Sequence, residues 1–339
     1  MKKIGIIGAG QLGQMLGFAG QKMGLEFVFL DPSDNPPAAV VGPVLKYPFD
    51  SEQGLAELAD STDIITYEFE NVPVAAIERI SRAIDVYPPV KALQYAQDRI
   101  AEKTLFESLE IPVPAFRPID SPEQLRQAAS EIGLPIVLKT RRLGYDGKGQ
   151  VVVRAAAEID AACATLGGKD LIVEQWVPFE REISAIGARS VSGEIVHYPL
   201  TGNVHDNGIL HESRAPADAA EFERTAQSYL TALLEHLDYV GVLALELFVT
   251  GNGLLANEFA PRVHNSGHWT IEGANTSQFE NHLRAILDLR LGDVGMRGAA
   301  GMLNLIGTIP DNPEEIAAAS GSMHDYGKTP RPGRKLGHI

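Results

Sequence analysis

The chain has 339 residues, of which 45% are hydrophobic and 22% charged, so it has the apolar material for a large core and is not globally disordered. Its 44 acidic and 29 basic residues give a formal net charge of −15, which argues against a general nucleic-acid or anionic-membrane surface. Cys163 is the only cysteine, which fits a reducing cytoplasm, and no apolar run is long enough to span a bilayer. We expect a cytoplasmic protein of two or three domains.

The first ninety residues alternate short strands with helices. The pattern predicts strands over 2–7, 26–30, 63–67 and 84–87, and helices over 11–23, 51–59 and 74–82. Alternation of this kind indicates a doubly wound, Rossmann-like parallel sheet. Pro88-Pro89 marks the end of this unit, and we place the first domain at 1–92.

The rest of the chain is predicted to be α+β in two parts, followed by a small C-terminal segment. Predicted helices are 90–97, 99–109, 122–132, 218–237 and 276–288. Predicted strands are 135–140, 150–154, 171–176, 182–189, 194–199 and the two arms of 242–260. The strands become longer and more regularly alternating from Leu171 onward, which indicates a change of structure at that point.

A strand–turn–strand pattern in 242–260 contains the most informative pair of residues. If the turn centres on Asn252, Glu246 and Glu258 lie opposite each other on one face of an antiparallel hairpin. Their predicted neighbours on that face are Ala244, Phe248, Leu254 and Ala256. Two facing carboxylates in apolar surroundings need a cation, and Mg²⁺ accepts such ligands together with substrate phosphates. If the turn is shifted by one residue, one glutamate points to solvent instead.

A glycine-rich loop joins the strands predicted at 135–140 and 150–154. Its glycines allow close approach of backbone N–H groups to a ligand. The basic residues in and beside it are Lys139, Arg141, Arg142 and Lys148. Positive charge and mobility suit a polyphosphate under a closing lid, although the P-loop pattern is absent. The alternative is a solvated hairpin tip.

Gly8, Gly10 and Gly13 follow the first strand and open the first helix, and Asp31 ends the next strand 18 residues later. This context matches the dinucleotide fingerprint and supports an NAD-dependent oxidoreductase as an alternative function. The same glycines also serve any tight strand-to-helix turn. Gln11 begins that helix, where a phosphate or carboxylate can bind.

Three further features offer polar groups to a ligand. Glu68 follows the strand at 63–67, at the sheet edge where ligands of such folds bind, although it could be an ordinary surface carboxylate. Arg262 and His264 leave the second hairpin strand, and a guanidinium there would bind a small planar anion. Zinc held by His264 and His268 is disfavoured because Asn265 and Gly267 oppose a helix. The end of the chain carries four basic residues, Lys328, Arg331, Arg334 and Lys335. This basic tail either forms an anion-binding site or is a frayed, solvated end.

Together these segments resemble the ATP-grasp superfamily, and more narrowly the 5-(carboxyamino)imidazole ribonucleotide synthases of purine biosynthesis. The resemblance covers nearly the whole chain. The strings that carry it are GIIGAGQLGQML, YEFENV, RRLGYDGKGQ, VEQWVPFEREIS, YPLTGNVHDNGIL, NEFAPRVHNSGHWTIEGA and RPGRKLGHI. It implies a pre-ATP-grasp domain at 1–92, a lid subdomain at 93–172, a core subdomain with the Mg-ATP site at 173–300, and an incomplete C-terminal segment.

The resemblance also implies site residues. ATP would be bound by Arg99, Lys139, the loop residues Gly144, Tyr145, Asp146, Gly147, Lys148, Gly149 and Gln150, the adenine connector Glu174, Gln175, Trp176 and Val177, and Glu182, His205, Asn257 and Glu258. Mg²⁺ would be bound by Glu246 and Glu258. Bicarbonate handling and catalysis would involve Arg262, His264, Lys335, Glu68 and Tyr145. The ribonucleotide would be held by Gln11, Leu12, Glu68, Arg331, Arg334 and Lys335.

The implied activity is carboxylation of 5-aminoimidazole ribonucleotide with bicarbonate, driven by ATP through carboxyphosphate, in a homodimer. Two departures from the wider family are visible. Ala260 stands where many ATP-grasp enzymes have a metal-binding asparagine in E-x-N-x-R, and the family normally continues beyond the final GRKxGH string. The alternatives are the NAD-dependent oxidoreductase, another ATP-grasp ligase, and a nucleotide-binding regulator without catalysis.

Overall fold

The computed structural model describes residues 2–144, 148–167, 170–312, 315, 318 and 321–339. Its first strands are β1 (Lys3–Ile7), β2 (Glu26–Leu30), β3 (Val44–Leu45) and β4 (Ile64–Tyr67). They form a parallel sheet in the order β3-β2-β1-β4. The carboxyl ends of β1 and β4 therefore lie side by side, and this places the loop after β4 beside the glycine turn after β1.

Helices cover both faces of this sheet, as the doubly wound prediction requires. They are α1 (Gln11–Lys22), α2 (Glu52–Ser61) and α3 (Val74–Ile80). The apolar side chains of α1 pack in one core, and those of α2 and α3 pack in another. The strand predicted over 84–87 is wrong: the segment makes one parallel bridge, between Val86 and Ile65. Pro88 and Pro89 end the pairing because proline has no N–H to donate.

A second sheet follows the helices α4 (Val90–Ala96) and α5 (Arg99–Ser108). It consists of β5 (Phe116–Ile119), β6 (Ile136–Thr140), β7 (Gln150–Val153) and β8 (Leu171–Gln175), in the order β5-β8-β6-β7. The helices α6 (Pro122–Ile132) and α7 (Ile159–Thr165) share its core. The predicted domain boundary at 172/173 falls inside β8, so the pairing continues past that point.

The largest sheet is antiparallel and carries the predicted hairpin at one edge. Its strands are β9 (Arg181–Arg189), β10 (Ile195–His197), β11 (Thr201–Asp206), β12 (Ile209–Ala215), β13 (Gly241–Thr250), β14 (Gly253–Ala260), β15 (Ala300–Ile306), β16 (His324–Asp325) and β17 (Lys335–His338). The order is β14-β13-β9-β11-β12-β15-β17-β16, with β10 paired to β9. The C-terminal segment thus contributes strands to the sheet that holds the hairpin.

The helices described after β12 are α8 (Glu223–His236), α9 (Thr270–Gly273) and α10 (Gln278–Ile286). The helix predicted from 218 begins at Glu223, because residues Ala220–Phe222 form a separate 3-10 turn. Side chains of α8 and α10 belong to different cores, on opposite faces of the large sheet. In the part of the chain described here, no helix is both long and apolar enough to cross a bilayer.

Candidate active site

The hairpin of β13 and β14 places Glu246 directly opposite Glu258. Thr250 pairs with Gly253 around the turn, and the same register continues to Leu247 and Ala256. The register then shifts by one residue at Asn257, so that Glu246 pairs with Glu258. Such a bulge puts two residues of one strand opposite one residue of its partner. The predicted pairing of the two glutamates is therefore present.

The predicted turn centre and two of the predicted neighbours are wrong. The turn lies at Gly251 and Asn252 rather than on Asn252 alone, because Thr250 pairs with Gly253. Leu254 and Ala256 belong to the apolar core on the opposite face, because the bulge lies between them and Glu258. Phe248 does lie on the site's side, where it lines a small cavity with Glu246.

The pKa values of the two paired carboxyl groups are shifted in opposite directions. Burial, followed by the proximity of Glu258, raises the pKa of Glu246 to about 7. Burial also opposes ionisation of Glu258, but Arg99, Lys139 and Lys103 together lower its pKa, and Arg99 Nη1 donates to Glu258 Oε2 at 2.8 Å. Glu258 is thus ionised beside Arg99, whereas a further cation close to Glu246 would favour the ionised form of that carboxyl.

The donor set of this pair suits Mg²⁺. Within the described ranges, no group of three or more His, Cys, Asp or Glu side chains is arranged to hold a metal ion. Mg²⁺ is commonly held by only one or two carboxylates and completes its shell with water and phosphate oxygens. A zinc site formed by His264 and His268 is disfavoured, because the two rings contact different partners. His264 faces Glu246, whereas His268 Nδ1 lies 3.4 Å from Gln278 Nε2.

Basic and acidic side chains from three elements meet beside Glu258. Lys139 on β6 donates to Glu174 on β8 at 2.9 Å, and Lys103 on α5 lies 3.7 Å from the same carboxylate. Burial opposes ionisation of Glu174, but Lys103 and Lys139 lower its pKa to about 2. Lys103 and Lys139 thus favour the ionised form of Glu174.

The glycine loop is described at its two ends only: Tyr145, Asp146 and Gly147 lie outside the described residues. The Gly144 carbonyl accepts from Arg99 Nη2 at 3.4 Å, and the Gly149 carbonyl accepts from Thr140 N at 2.7 Å. Arg141 and Arg142 are occupied elsewhere, because both donate to Asp98, the N-cap residue of α5. Two further predicted residues lie at the C-terminal end of the loop. Lys148 directly follows residues 145–147, and Gln150 pairs with Lys139 in the sheet.

A second group of predicted nucleotide contacts lies on the other side of Glu246. Glu182 and Asn257 line a small cavity with Glu246 and Phe248. His205 pairs with Glu182, and although burial opposes protonation, this carboxylate raises the pKa of His205. In the connector after Glu174, Gln175 and Trp176 are exposed whereas Val177 is buried.

Arg262 and His264 line the same cleft as Arg99, Glu246 and Glu258. This cleft encloses ≈ 570 Å³, including space open to solvent. Arg262 is largely buried, and its Nη2 donates to Glu70 Oε2 at 2.7 Å. His264 Nε2 lies 3.4 Å from Glu246 Oε1, and its Nδ1 lies 2.8 Å from Ser266 Oγ. The predicted grouping of the arginine and histidine with the carboxylate pair is therefore observed.

Electrostatics keep the His264 ring neutral. Burial, followed by repulsion from Arg262 and Lys335, holds its pKa well below the ordinary value. Ser266 N donates to Nδ1 at 3.4 Å, which places the ring proton on Nε2, the nitrogen that faces Glu246. A neutral imidazole in this position can donate or carry a proton without adding fixed charge.

Glu68 occupies the anion position of the first glycine turn. Its carboxylate accepts from Gly10 N at 2.6 Å and from Gly13 N at 2.9 Å. Burial raises the pKa of Glu68. Asp31 accepts from Ala9 N, so it braces the turn. A dinucleotide pyrophosphate would have to displace Glu68, and this geometry disfavours the oxidoreductase alternative.

The C-terminal tail is an ordered part of the site region rather than a frayed end. Lys335 begins β17, which pairs with β15 and β16. Lys335 also lies close enough to Glu246 to favour ionisation of that carboxyl and lower its pKa. Lys328 donates to Gln11, whereas Arg331 is exposed and Arg334 donates to the Thr329 carbonyl. Leu12 is buried in the core, which leaves only its backbone for a ligand.

Sequence reasoning missed four charged residues that shape the site: Glu70, Asp98, Glu102 and Lys103. A signal for three of them was present, because Asp98 is the N-cap of the helix that begins with Arg99, and Glu102 and Lys103 lie on that helix. Charged residues at 102 and 103 beside the apolar Leu105 and Phe106 share the buried side of that helix, where charge is costly unless paired.

Family models match three consecutive parts of the chain. The ribonucleotide synthetase preATP-grasp domain matches residues 1–97, the ATP-grasp domain matches 104–279, and the phosphoribosylaminoimidazole carboxylase C-terminal domain matches 300–339. The first match contains the N-terminal sheet, the second contains the second sheet and strands β9 to β14 with both hairpin glutamates, and the third contains strands β15 to β17.

Whole-chain relatives agree with these matches. The N5-carboxyaminoimidazole ribonucleotide synthase of Pseudomonas aeruginosa is 48% identical, over 99% of this chain and 93% of the relative. The crystal structure of the corresponding synthetase from Thermus thermophilus has a TM-score of 0.95 at 51% identity, covering 99% of this chain and 92% of that one. The Aspergillus clavatus synthase was solved with ADP and 5-aminoimidazole ribonucleotide. It has a TM-score of 0.90 at 30% identity, and the match covers 99% of this chain and 92% of that one. The chain belongs to the N5-carboxyaminoimidazole ribonucleotide synthase family of the ATP-grasp superfamily.

Proposed function

We propose that the protein is a ligase that carboxylates 5-aminoimidazole ribonucleotide with bicarbonate at the expense of ATP. The γ-phosphoryl group passes to a bicarbonate oxygen, which gives carboxyphosphate and ADP. The amine of the ribonucleotide then forms the new C–N bond, phosphate leaves, and the amine loses a proton. One observation carries the proposal: Arg262 and His264 lie in one cleft with the opposed pair Glu246 and Glu258. The cleft thus combines a divalent-cation site with groups that suit a small anion.

We propose that Glu246 and Glu258 hold Mg²⁺. Two observations support this assignment: the two carboxylates lie directly opposite each other on neighbouring strands, and Mg²⁺ prefers oxygen ligands. With Mg²⁺ bound, these two carboxylates would hold positive charge beside the ATP phosphates, where it would offset the charge that develops during phosphoryl transfer.

ATP would lie across the cleft between the second sheet and the large sheet. Lys139 and Arg99 are proposed to contact its phosphates; each now pairs with a carboxylate that ATP binding would free. Glu182 is proposed to contact the ribose. The remaining proposed contacts are Glu174, Gln175, Trp176 and Val177 for adenine, Asn257 in the same cavity as Glu182, His205, which pairs with Glu182, and the closing loop over 144–150. Closure over the phosphates would exclude water from a labile intermediate.

Arg262 is proposed to orient bicarbonate, because a guanidinium gives two parallel donors to a planar oxyanion. Glu70 holds this guanidinium at 2.7 Å and fixes its direction. His264, neutral and protonated on Nε2, would move a proton between bicarbonate and the amine. Lys335 adds positive charge on the same side, close to Glu246. These assignments are predictions for the individual residues.

The ribonucleotide is proposed to bind between the first glycine turn and the C-terminal tail. Glu68 offers a carboxylate to the amine, and Gln11 contacts Lys328 across this gap. Arg331, Arg334 and Lys335 would supply charge for the ribonucleotide phosphate. Leu12 would contribute through its backbone, and Tyr145 would approach from the closing loop.

The proposed function predicts ADP release that needs both 5-aminoimidazole ribonucleotide and bicarbonate. A coupled assay that omits each substrate in turn measures this dependence directly. If ADP is released with formate or an amino acid in place of bicarbonate, another ATP-grasp ligase is the better description. Binding of ATP without turnover, unchanged in Arg262→Ala, would favour a regulator. Thermal protection by NADH but not by Mg-ATP would favour the oxidoreductase.

We also propose a homodimer in the cytoplasm. Family membership supports the dimer, and a single, buried cysteine fits a reducing compartment. Light scattering coupled to size-exclusion chromatography tests the dimer by giving the mass relative to the 36.6 kDa chain. The domain boundaries stay predictions, and we propose to move the second one from 172 to the end of β8 at Gln175.

A further inference from the structure

The bulge at Asn257 decides which face of the hairpin Glu258 occupies. Continuing the register set by Thr250 and Gly253 without a shift would pair Glu246 with Asn257 and Leu245 with Glu258. A one-residue slip moves a side chain to the other face of a sheet. Glu258 would then point toward the apolar core that contains Leu245, Leu247 and Leu254. The carboxylate pair therefore exists only because the bulge is present.

Two adjacent residues of α5 bind the backbone at this bulge. Lys103 Nζ donates to the Asn257 carbonyl at 2.7 Å and to the Ala256 carbonyl at 3.2 Å. The Glu102 carboxylate accepts from Phe259 N at 2.7 Å. These bonds fall on both sides of Glu258 and include the bulged residue itself. One turn of helix thus supplies partners to peptide groups around the register shift.

Both residues are ionisable groups in a buried environment that disfavours their charged forms. Lys103 has no exposed surface and Glu102 is 2% exposed. Burying such groups costs several kcal/mol unless their hydrogen bonds are satisfied. Lys103 also lies 3.7 Å from Glu174, the first residue of the proposed adenine connector. The same ammonium therefore ties that connector to the bulge.

We propose that Glu102 and Lys103 are positioning residues that hold the Asn257 bulge and so aim Glu258 at Glu246 and at the divalent cation. The identity of the cation rests on the proposed function; the holding of the bulge does not. Glu102 and Lys103 act through the backbone of β14 rather than on the reacting atoms. Partners that orient metal ligands in this way commonly change metal affinity by about 10–100-fold when removed.

The test measures binding of Mn²⁺ in the presence of ADP, without turnover, by electron paramagnetic resonance. In Lys103→Met the Kd for Mn²⁺ should rise about 10–100-fold. Amide exchange at Phe259 should accelerate in the same variant. Lys91→Met is the matched control, because Lys91 also donates to a backbone carbonyl, that of His236, outside the site. It should leave Mn²⁺ affinity and Phe259 exchange unchanged.

A second pair of variants tests the same proposal if Lys103→Met does not fold. Glu102→Leu removes the acceptor for Phe259 N and should weaken Mn²⁺ binding, whereas Glu102→Gln keeps an acceptor and should restore most of it. Unchanged Mn²⁺ affinity in folded Lys103→Met or Glu102→Leu would overturn the proposal. A parent protein that binds Mn²⁺ and ADP but does not carboxylate the ribonucleotide would refute the proposed function alone.

Discussion

The Nε2 atom of His282 lies 2.8 Å from Oγ1 of Thr66, and this contact joins helix α10 to strand β4 of the N-terminal sheet. The other ring nitrogen, Nδ1, accepts from Val242 N at 3.1 Å, on the strand that carries Glu246. The ring is fully buried. One histidine therefore links the strand that leads to Glu68 with the strand of the carboxylate pair.

This link predicts a pH-dependent stability. Burial lowers the pKa of His282 from 6.5 to about 4. Between these values the unfolded chain binds the proton and the folded chain does not, so stability falls as pH falls from 6.5 toward 4. The contribution of this ring amounts to about 3 kcal/mol over the interval. Urea midpoints measured across this range should drop with acidification.

The variant His282→Gln distinguishes the contribution of His282 from the other effects of acid on stability. The variant should be less stable than the parent at pH 7 by ~1–3 kcal/mol, because buried hydrogen bonds are lost. Its stability should decline less steeply between pH 6.5 and 4. His236→Gln is the control, because that ring is exposed to solvent. Equal slopes for His282→Gln and the parent would contradict the assignment.

The carboxylate pair should cost stability when no cation is bound. Like charges directly opposite on neighbouring strands repel, and Glu246→Gln removes one of them. In EDTA the variant should melt ~1–3 °C above the parent. With Mg²⁺ and ADP the order should reverse, because the variant lacks a ligand. Scanning calorimetry under both conditions tests this, with the exposed Glu235→Gln as control; a lower melting temperature in EDTA would refute the repulsion argument.

Local pattern was enough to predict much of the fold and the grouping of the site. The hairpin glutamates were paired correctly, but by two compensating errors: the turn was placed at Asn252, and the bulge at Asn257 was not foreseen. The bulge depends on Lys103 and Glu102, more than 150 residues away in sequence. Such a long-range contact leaves no periodic signal in the strand itself.

Strands β11 and β12 were missed for a different reason. The Asn207-Gly208 pair between them has positive φ at both residues, the usual signal of a tight hairpin. The flanking strands carry polar residues such as Asn203, which bonds to Ser184 and Ser213 within the sheet. Hydrophobic alternation is therefore weak there, although the turn signal was available.

Arg262 should be needed for the use of bicarbonate rather than for binding of nucleotide. Arg262→Ala is expected to lower ribonucleotide-stimulated ADP release by ~100-fold or more, because donors to a reacting oxyanion are lost. ADP affinity should change little. Glu70→Gln should cost only about tenfold and mainly raise KM for bicarbonate, because the guanidinium loses an orienting partner but stays present. Steady-state kinetics at varied bicarbonate and calorimetric ADP titration distinguish these effects; a loss of ADP binding in Arg262→Ala would contradict the assignment.

The first glycine turn should tolerate no side chain beside Glu68. A Cβ built on Gly10 would lie 2.7 Å from Glu68 Oε1, so Gly10→Ala must displace that carboxylate. If Glu68 contacts the amine of the ribonucleotide, its KM should rise by ~10–100-fold while KM for ATP stays within about twofold. Gly301→Ala is the control, because an added Cβ there makes only an ordinary contact of 3.8 Å. Substrate titrations of both variants measure the difference, and an unchanged KM for the ribonucleotide in Gly10→Ala would remove Glu68 from the substrate site.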